Sequence, residues 1–226
     1  MCGVFGIVAA DKIDPQQVAF LGELNSARGN SAFGGLAWGS GGPKVSRQLG
    51  PFDISRIDVE DASVFLCHMR APTNGRESNL RDTHPFESRS FLLAHNGLLL
   101  NQWDFPEWIL DTASNVDSQI ILGGIQRHFD VDQIPARAIV RTVGQLEGQQ
   151  ACWLWSKDRP IVYLWRVMSS LYYSSSPSQV VFSSVQCQLA RHLLPEGVVY
   201  QAHSREMSLV DVGRFDYYSP YKGEGA

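Results

Sequence analysis

Residues 2–9 read Cys-Gly-Val-Phe-Gly-Ile-Val-Ala, and this stretch decides how the fold begins. It is short, apolar and rich in β-branched side chains, which is the pattern of a buried strand. Because the strand begins almost at the first residue, it ties the N-terminus into the fold. The first residues are therefore expected to belong to the ordered core.

Outward from this strand, the hydrophobic spacing predicts three helices, a short fourth helix and further strands. The helices are predicted at residues 14–29, 117–129, 139–146 and 186–194. The strands are predicted as a pair within 33–49 around a turn at 39–43, and at 63–68, 91–95, 151–155, 161–165, 170–174, 179–183, 198–202 and 207–210. Strands followed by two helices and then by more strands indicate an α+β fold with mainly antiparallel sheets.

The composition favours one globular domain. A chain of 226 residues that is 44% hydrophobic can bury a core without external staples. The formal net charge is −4 and the 19 Lys and Arg residues are scattered, so no nucleic-acid partner is expected. No apolar run is long enough to span a bilayer, and the opening residues lack a basic leader, so we expect no membrane partner and a cytoplasmic location. The expected domain is 1–226, with residues 216–226 as a loosely held tail.

The cysteines and histidines do not have the spacing of a metal site. Four cysteines stand at positions 2, 67, 152 and 187 without a CxxC pair, and the last three are expected to be buried in apolar runs. His68, His84 and His95 lie too far from one another in sequence, and from any paired cysteines, to match zinc-ligand spacing. We expect neither a metal nor an organic cofactor.

Cys2 is the strongest candidate for a nucleophile because of its position in the chain. A methionine before a small residue is normally removed, which would leave a thiol and a free α-amine on one residue. An unperturbed α-amine has a pKa of about 7.7–8.0 and a thiol one of about 8.5, so the amine can act as the base that generates thiolate. The alternative is that Cys2 is simply a buried strand cysteine.

Five segments in order along the chain support the nucleophile. They are Met1-Cys2-Gly3-Val4-Phe5-Gly6-Ile7, Arg28-Gly29-Asn30-Ser31, His68-Met69-Arg70-Ala71-Pro72-Thr73-Asn74-Gly75, His95-Asn96-Gly97 and Asp117-Ser118. Together they resemble the class II glutamine amidotransferases, over residues 2 to about 210. The resemblance implies that the N-terminal cysteine attacks glutamine. It also implies the four-layered αββα sandwich of the N-terminal nucleophile hydrolases.

The resemblance assigns two charged residues to the ends of the substrate. Arg70 would bind the α-carboxylate of L-glutamine, which suits a planar guanidinium that can form two parallel hydrogen bonds. Asp117 would bind the α-ammonium. Without the resemblance, Arg70 is a surface arginine in a loop and Asp117 is the N-cap of the predicted helix. The two roles of Asp117 are compatible.

Asn96 and Gly97 would form the oxyanion hole, Asn96 through its side-chain amide and Gly97 through its backbone N–H. Without the resemblance, Asn-Gly after a strand indicates only a tight turn.

Arg28 and Thr73 would shape the glutamine pocket, and Arg28 has the alternative of a plain helix-end cation. The pair Pro72-Thr73 favours the phosphoribosyl and sugar-phosphate branches over asparagine synthetase.

The sequence departs from the family pattern at three places. Ala71 stands where many members have an aromatic residue, Gln119 replaces the usual acid after the Asp-Ser pair, and only Arg166 remains of a later Arg-Asp-x-x-Gly-type loop. A Cys-His arrangement with His68 or His95 is a weaker alternative, because both are expected at strand ends beside loops. The α-amine already provides a base.

The expected activity is hydrolysis of L-glutamine to glutamate and ammonia through a γ-glutamyl thioester on Cys2. Since family members usually carry a synthase after the glutaminase, the ammonia is expected to reach a synthase partner in trans. Tyr217, Tyr218 and Tyr221 are candidates for anchoring that partner, or they pack on their own domain. Two rival hypotheses are a stand-alone hydrolase of another γ-glutamyl amide and a catalytically idle interaction subunit.

Overall fold

A computed structural model describes residues 2–71, 79–111, 114, 116–203 and 209–217. The strands are β1 Gly3–Ala9, β2 Ala32–Gly39, β3 Gly42–Leu49, β4 Ala62–Arg70, β5 Phe86–Glu87, β6 Phe91–Leu99, β7 Gly148–Ser156, β8 Ile161–Val167, β9 Tyr172–Ser175, β10 Gln179–Ser183, β11 His192–Leu193, β12 Val198–His203 and β13 Leu209–Arg214. The α-helices are α1 Pro15–Ser26, α2 Ser118–Asp132 and α3 Pro135–Val143. Short 3-10 turns occupy Ile54–Arg56, Leu80–Asp82, Gln102–Asp104 and Pro106–Trp108.

Two antiparallel sheets form the centre of the molecule. One has seven strands in the order β11-β9-β10-β1-β4-β2-β3, and the other has six in the order β13-β12-β8-β7-β6-β5. β1 lies in the middle of the larger sheet, paired with β10 on one side and β4 on the other. The strand predicted at the N-terminus is therefore confirmed, and the start of the chain is held from both sides.

Side-chain alternation along the strands builds the layers. On β1, Val4 and Val8 face the second sheet, whereas Phe5 and Ile7 pack under α1. The outer face of the six-stranded sheet is covered by α2 and α3 in a third apolar cluster. The order of layers is α1, seven-stranded sheet, six-stranded sheet, then α2 with α3. This is the expected α+β, four-layered αββα sandwich.

Two strands continue further than their hydrophobic runs predict. β4 extends to Arg70 and β6 to Leu99, so His68, His95 and the Asn96-Gly97 pair are strand residues. The prediction of loops beginning at these histidines was wrong, and the alternative of a tight turn at Asn96-Gly97 is excluded. Backbone pairing with β7 continues through Asn96 and Gly97, and the Asn96 side chain is buried.

The helix expected at 186–194 is absent from this described part of the chain. Cys187 and Ala190 exchange two backbone hydrogen bonds of 3.1 Å across a tight turn, and His192–Leu193 then pairs with β9. This strand pairing satisfies the backbone groups that a helix would have paired internally. Cys187 is also partly exposed rather than buried, whereas Cys67 and Cys152 are fully buried as expected.

The remaining expectations concern the third helix and the residues outside the described ranges. α3 ends at Val143, and Leu146, predicted to continue it, packs into the same cluster from the following turn. Thr73, Tyr218, Tyr221 and most of the tail lie outside the described residues. Within the described ranges, no helix has the length and apolar character required to cross a bilayer.

Candidate active site

The Cys2 thiol lies against the backbone at the end of β4. Its Sγ donates to the carbonyl oxygen of Ala71 at 3.2 Å and accepts from the N–H of Ala71 at 3.3 Å. Burial raises the pKa of the Cys2 thiol, while the Ala71 N–H and the charge of Arg70 oppose that rise. A thiol held in this way is mostly protonated near neutral pH, so it needs a local base to become a nucleophile.

Arg70 lies at the last position of β4 and is only 3% exposed. Its Nη2 is 3.9 Å from Oδ2 of Asp82, which is equally buried. A buried guanidinium requires such a partner, because removing an unpaired charge from water is costly. The structure therefore places Arg70 inside the molecule, which excludes the alternative of a surface arginine. Asp82 was not predicted as a site residue. Its position between two polar residues, just before His84, does not mark it in the sequence as a buried acid.

Asp117 immediately precedes α2, but its side chain does not cap the helix. Its carboxylate accepts no capping hydrogen bond from the backbone of the first turn. Instead, Oδ2 accepts from the backbone N–H of Leu99 on β6 at 2.8 Å, and Oδ1 lies 3.5 Å from the Ser118 hydroxyl. The predicted capping interaction was wrong because a buried strand end offers the carboxylate a competing backbone donor. The carboxylate instead fixes the start of α2 to β6.

Cys2, Arg70, Gly97 and Asp117 line one small cavity. These four predicted site residues come from β4, β6, the chain start and the start of α2, so the tertiary structure alone brings them together. The cavity is also lined by Asp82 and by the side chains of His68, His84, His95 and Ser118. None of these five residues was predicted to have a role at the substrate, although Ser118 lies in the Asp117-Ser118 segment of the family resemblance.

Arg28 contacts the backbone of Cys2, and Asn96, next to Gly97 in the chain, reaches Ser184. Asn96 is buried, and its Nδ2 is 3.4 Å from the hydroxyl of Ser184, which in turn accepts from the N–H of Val4. Arg28 donates from Nε to the carbonyl oxygen of Cys2 at 2.9 Å. Burial lowers the pKa of Arg28. The guanidinium therefore holds the main chain of the nucleophile, a contact that its sequence position did not predict.

Gly97 is the one site position where the absence of a side chain is required by packing. A Cβ atom there would overlap the carbonyl oxygen of Gln149 on β7 and approach Nε2 of His95 to 2.5 Å. The glycine thus permits close pairing of β6 with β7 at the edge of the cavity. Its role follows from this approach of two strands rather than from a turn.

Two departures from the family pattern have structural consequences. Ala71 contributes its backbone groups to the thiol, so the aromatic side chain that many members carry is not needed for that contact. Gln119 accepts from the backbone N–H of Asp111 at 2.8 Å through Oε1, which is a role that a carboxylate would also fill. Among the described residues, no group of three or more His, Cys, Asp and Glu side chains is arranged to hold a metal ion.

The cavity thus combines a thiol, a buried cation, a buried anion and a backbone segment at Gly97. A zwitterionic amino acid carries the opposite charges at its α-carbon, so it can be oriented by Arg70 and Asp117 through charge-assisted hydrogen bonds. Its side chain would then extend toward the thiol. The arrangement suits nucleophilic attack on an acyl group of such a molecule.

Known proteins share parts of this sequence and its fold. No family model matched the sequence. The chain is similar to glutamine--fructose-6-phosphate aminotransferase (isomerizing) of Caldanaerobacter subterraneus subsp. tengcongensis, with 24% identity over 170 residues, 71% of this chain and 27% of that enzyme. The chain spans less than a third of the length of the curated relatives it matches.

Two solved structures share the fold. The glutamine phosphoribosylpyrophosphate amidotransferase of B. subtilis superposes with a TM-score of 0.75 at 18% identity, over 95% of this chain and 49% of that one. A glutamine aminotransferase class-II domain protein of Silicibacter pomeroyi superposes with a TM-score of 0.61 at 15% identity, over 95% of this chain and 99% of that one. The expected four-layered sandwich is thereby confirmed.

Proposed function

We propose, from the premise that this chain belongs to the class II glutamine amidotransferases, that it hydrolyses L-glutamine to glutamate and ammonia through a γ-glutamyl thioester on Cys2. The observation that carries the proposal is the convergence of Cys2, Arg70, Gly97 and Asp117 on one cavity. These residues supply a nucleophile, a site for each charged group of the substrate and a backbone donor. Residues 1–226 are proposed to act as a single glutaminase domain.

The reaction proceeds in two steps. The Cys2 thiol gives its proton to the α-amine, and the thiolate attacks the amide carbon of glutamine. The oxyanion that forms is stabilised by donors from Asn96 and Gly97, and the amide nitrogen takes the proton and leaves as ammonia. Water, deprotonated by the same amine, then attacks the thioester carbon. This releases glutamate and restores the thiol.

The first prediction concerns the N-terminus. Met1 precedes Cys2 in the sequence, so the Cys2 nitrogen is part of a peptide bond until Met1 is removed. Since the thiol pKa is raised by burial, hydrolysis requires the free amine as base. We expect glutamine hydrolysis only from protein whose intact mass corresponds to a chain beginning at Cys2. Equal activity from protein that retains Met1 would show that the amine is not the base.

The second prediction separates binding from turnover. Arg70→Lys and Asp117→Asn are expected mainly to raise KM for glutamine, because these residues contact charges present in the ground state. Asn96→Ala is expected mainly to lower kcat, by about 10²–10³, because its amide meets charge that develops in the tetrahedral intermediate. Steady-state kinetics on the three variants measures both quantities. A normal kcat with raised KM for Asn96→Ala would contradict this division of roles.

The ammonia is proposed to reach a synthase partner in trans. The support is the similarity to the Caldanaerobacter enzyme, whose name pairs glutamine with a second substrate, fructose 6-phosphate. Tyr217 donates to Glu196 at 2.6 Å, and Glu196 in turn pairs with Arg166 on β8. The described part of the tail is therefore anchored to its own domain, which favours the packing alternative for Tyr217 over a role as partner anchor.

The third prediction tests the partner. Glutaminase kcat/KM is expected to rise when a partner recovered from native extract is added to the purified chain. The same measurement on a chain lacking residues 218–226 shows whether the end of the tail takes part, while Tyr217 remains in place. Full efficiency of the chain alone, with no partner recovered, would instead favour independent hydrolysis.

One observation favours a second candidate function. Ala71 lines the cavity beside Cys2, and its small side chain leaves space that an aromatic residue would fill. A hydrolase of larger γ-glutamyl amides would use the same nucleophile and the same Arg70 and Asp117 contacts. Comparing kcat/KM for glutamine with a panel of N-substituted γ-glutamyl amides distinguishes the two. An idle interaction subunit would hydrolyse none of them.

A further inference from the structure

The Ser118 hydroxyl lies at the centre of a buried group of histidines on the floor of the cavity. Its Oγ is 2.8 Å from Nε2 of His84 and 3.0 Å from Nδ1 of His95. The same oxygen lies 3.5 Å from Oδ1 of Asp117, and His95 Nδ1 lies 3.7 Å from that carboxylate oxygen. Ser118 is only 1% exposed, so these contacts are made away from bulk water.

The direction of each hydrogen bond follows from which of its two atoms can donate a proton. Nε2 of His95 lies 3.0 Å from the carbonyl oxygen of Gln149, which can only accept, so this nitrogen carries a proton. In a neutral His95 ring, Nδ1 is then an acceptor, and at 3.0 Å it is a closer acceptor for the single hydroxyl proton of Ser118 than Oδ1 of Asp117 at 3.5 Å. The Ser118 oxygen must in turn accept from Nε2 of His84. The chain of donors therefore runs from His84 through Ser118 to His95.

We propose that Ser118 is a positioning residue that holds His95 in its neutral form and thereby keeps the Asp117 carboxylate available for a substrate ammonium. A His95 ring protonated at Nδ1 would face Asp117 as a cation and compete with the substrate for the same oxygen. By donating to Nδ1, the hydroxyl occupies the position where that proton would be. This inference rests on the proposed function, in which Asp117 binds the α-ammonium of glutamine.

The groups around the histidine rings also disfavour protonation of the cluster. Burial lowers the pKa of His84, and burial is also the main cause that lowers the pKa of His68 to about 3. The His68 and His84 rings lie against each other, with centroids 4.0 Å apart and planes tilted by 36°. The charged groups that face the cluster are Arg70 on β4, with its neighbour Asp82, and Asp117 at the start of α2. Arg47 on β3 acts on His84 from the other side.

The structural test is nitrogen NMR of the histidine rings at neutral pH. In the wild-type protein, the His95 ring is expected as the neutral Nε2–H form. Ser118→Ala is expected to convert it to the doubly protonated form, whereas Ser118→Thr, which keeps the hydroxyl, should retain the wild-type signals. Ser90→Ala is a matched control, because it removes another buried hydroxyl that accepts from α2, through Gln126, outside the histidine cluster.

The kinetic test uses glutamine and glutaramate, the analogue that lacks the α-amino group. Ser118→Ala should raise KM for glutamine about tenfold or more while kcat changes little, because a charge-assisted contact is weakened. The KM for glutaramate should be nearly unchanged. Ser118→Thr should restore the glutamine KM. A merely structural role would affect both substrates alike.

The NMR result and the activity result test different claims, so each claim can be rejected without the other. A doubly protonated His95 in the wild-type protein, or identical His95 signals in wild type and Ser118→Ala, would overturn the role of Ser118 whether or not glutamine is hydrolysed. The first of these results needs no variant, so it stands even if Ser118→Ala does not fold. Absence of glutamine hydrolysis by wild-type protein beginning at Cys2, together with the expected NMR change, would instead reject the proposed function.

Discussion

Cys2→Ala is expected to abolish glutamine hydrolysis, with a fall in kcat on the order of 10⁶, as found when a covalent nucleophile is removed from a catalytic unit. The loss is large because no other thiol lines the cavity among the described residues. Cys2→Ser should also be severely impaired, since a hydroxyl is a much weaker nucleophile when its only base is an amine.

Covalent labelling gives a direct measurement of this assignment. A glutamine-like diazoketone should add one adduct to protein beginning at Cys2, detected by intact mass. Burial raises the pKa of Cys67 and Cys152, so neither should react. Cys187 is partly exposed, which makes Cys187→Ala the matched control: the variant should keep both the adduct and the activity. An adduct that persists in Cys2→Ala would refute the assignment.

Gly97→Ala is expected to abolish activity and to lower the free energy of unfolding by about 3 kcal/mol. The added methyl would overlap the Gln149 carbonyl oxygen, so β6 and β7 must separate at the edge of the cavity. Separation would also displace the backbone N–H proposed for the oxyanion hole. The added methyl carbon causes both the loss of activity and the loss of stability, because β6 and β7 are in direct contact at Gly97.

Urea unfolding and glutaminase assays on Gly97→Ala measure the two effects. Gly41→Ala provides the control, since a Cβ there would meet only the Lys44 side chain at 3.9 Å, in the turn between β2 and β3. We expect near-wild-type stability and activity from the control. Wild-type stability of Gly97→Ala would mean that the pairing of β6 with β7 tolerates a side chain at this position.

The spacing of hydrophobic residues was sufficient to predict most of the strands and helices, because each of these elements buries its apolar residues. It located β1 and the pair β2 and β3, and it gave the cores of α1 and α2. It failed at 186–194, where apolar residues at helical spacing belong to a turn and to β11. It also ended β4 and β6 too early, because polar residues interrupt the apolar run where the strands enter the cavity.

The order of segments beginning with Cys2 was enough to indicate a resemblance to the class II glutamine amidotransferases, since the order of residues is a property of the chain itself. Only the tertiary structure decided what surrounds it. Asp82 reaches Arg70 and Ser118 joins two histidines through contacts between elements distant in sequence. The Asp117 carboxylate turns to Leu99 instead of capping α2. Hydrogen-bond partners of buried polar groups are selected by which donors the packed sheets bring within about 3 Å, and a linear pattern contains no such distances.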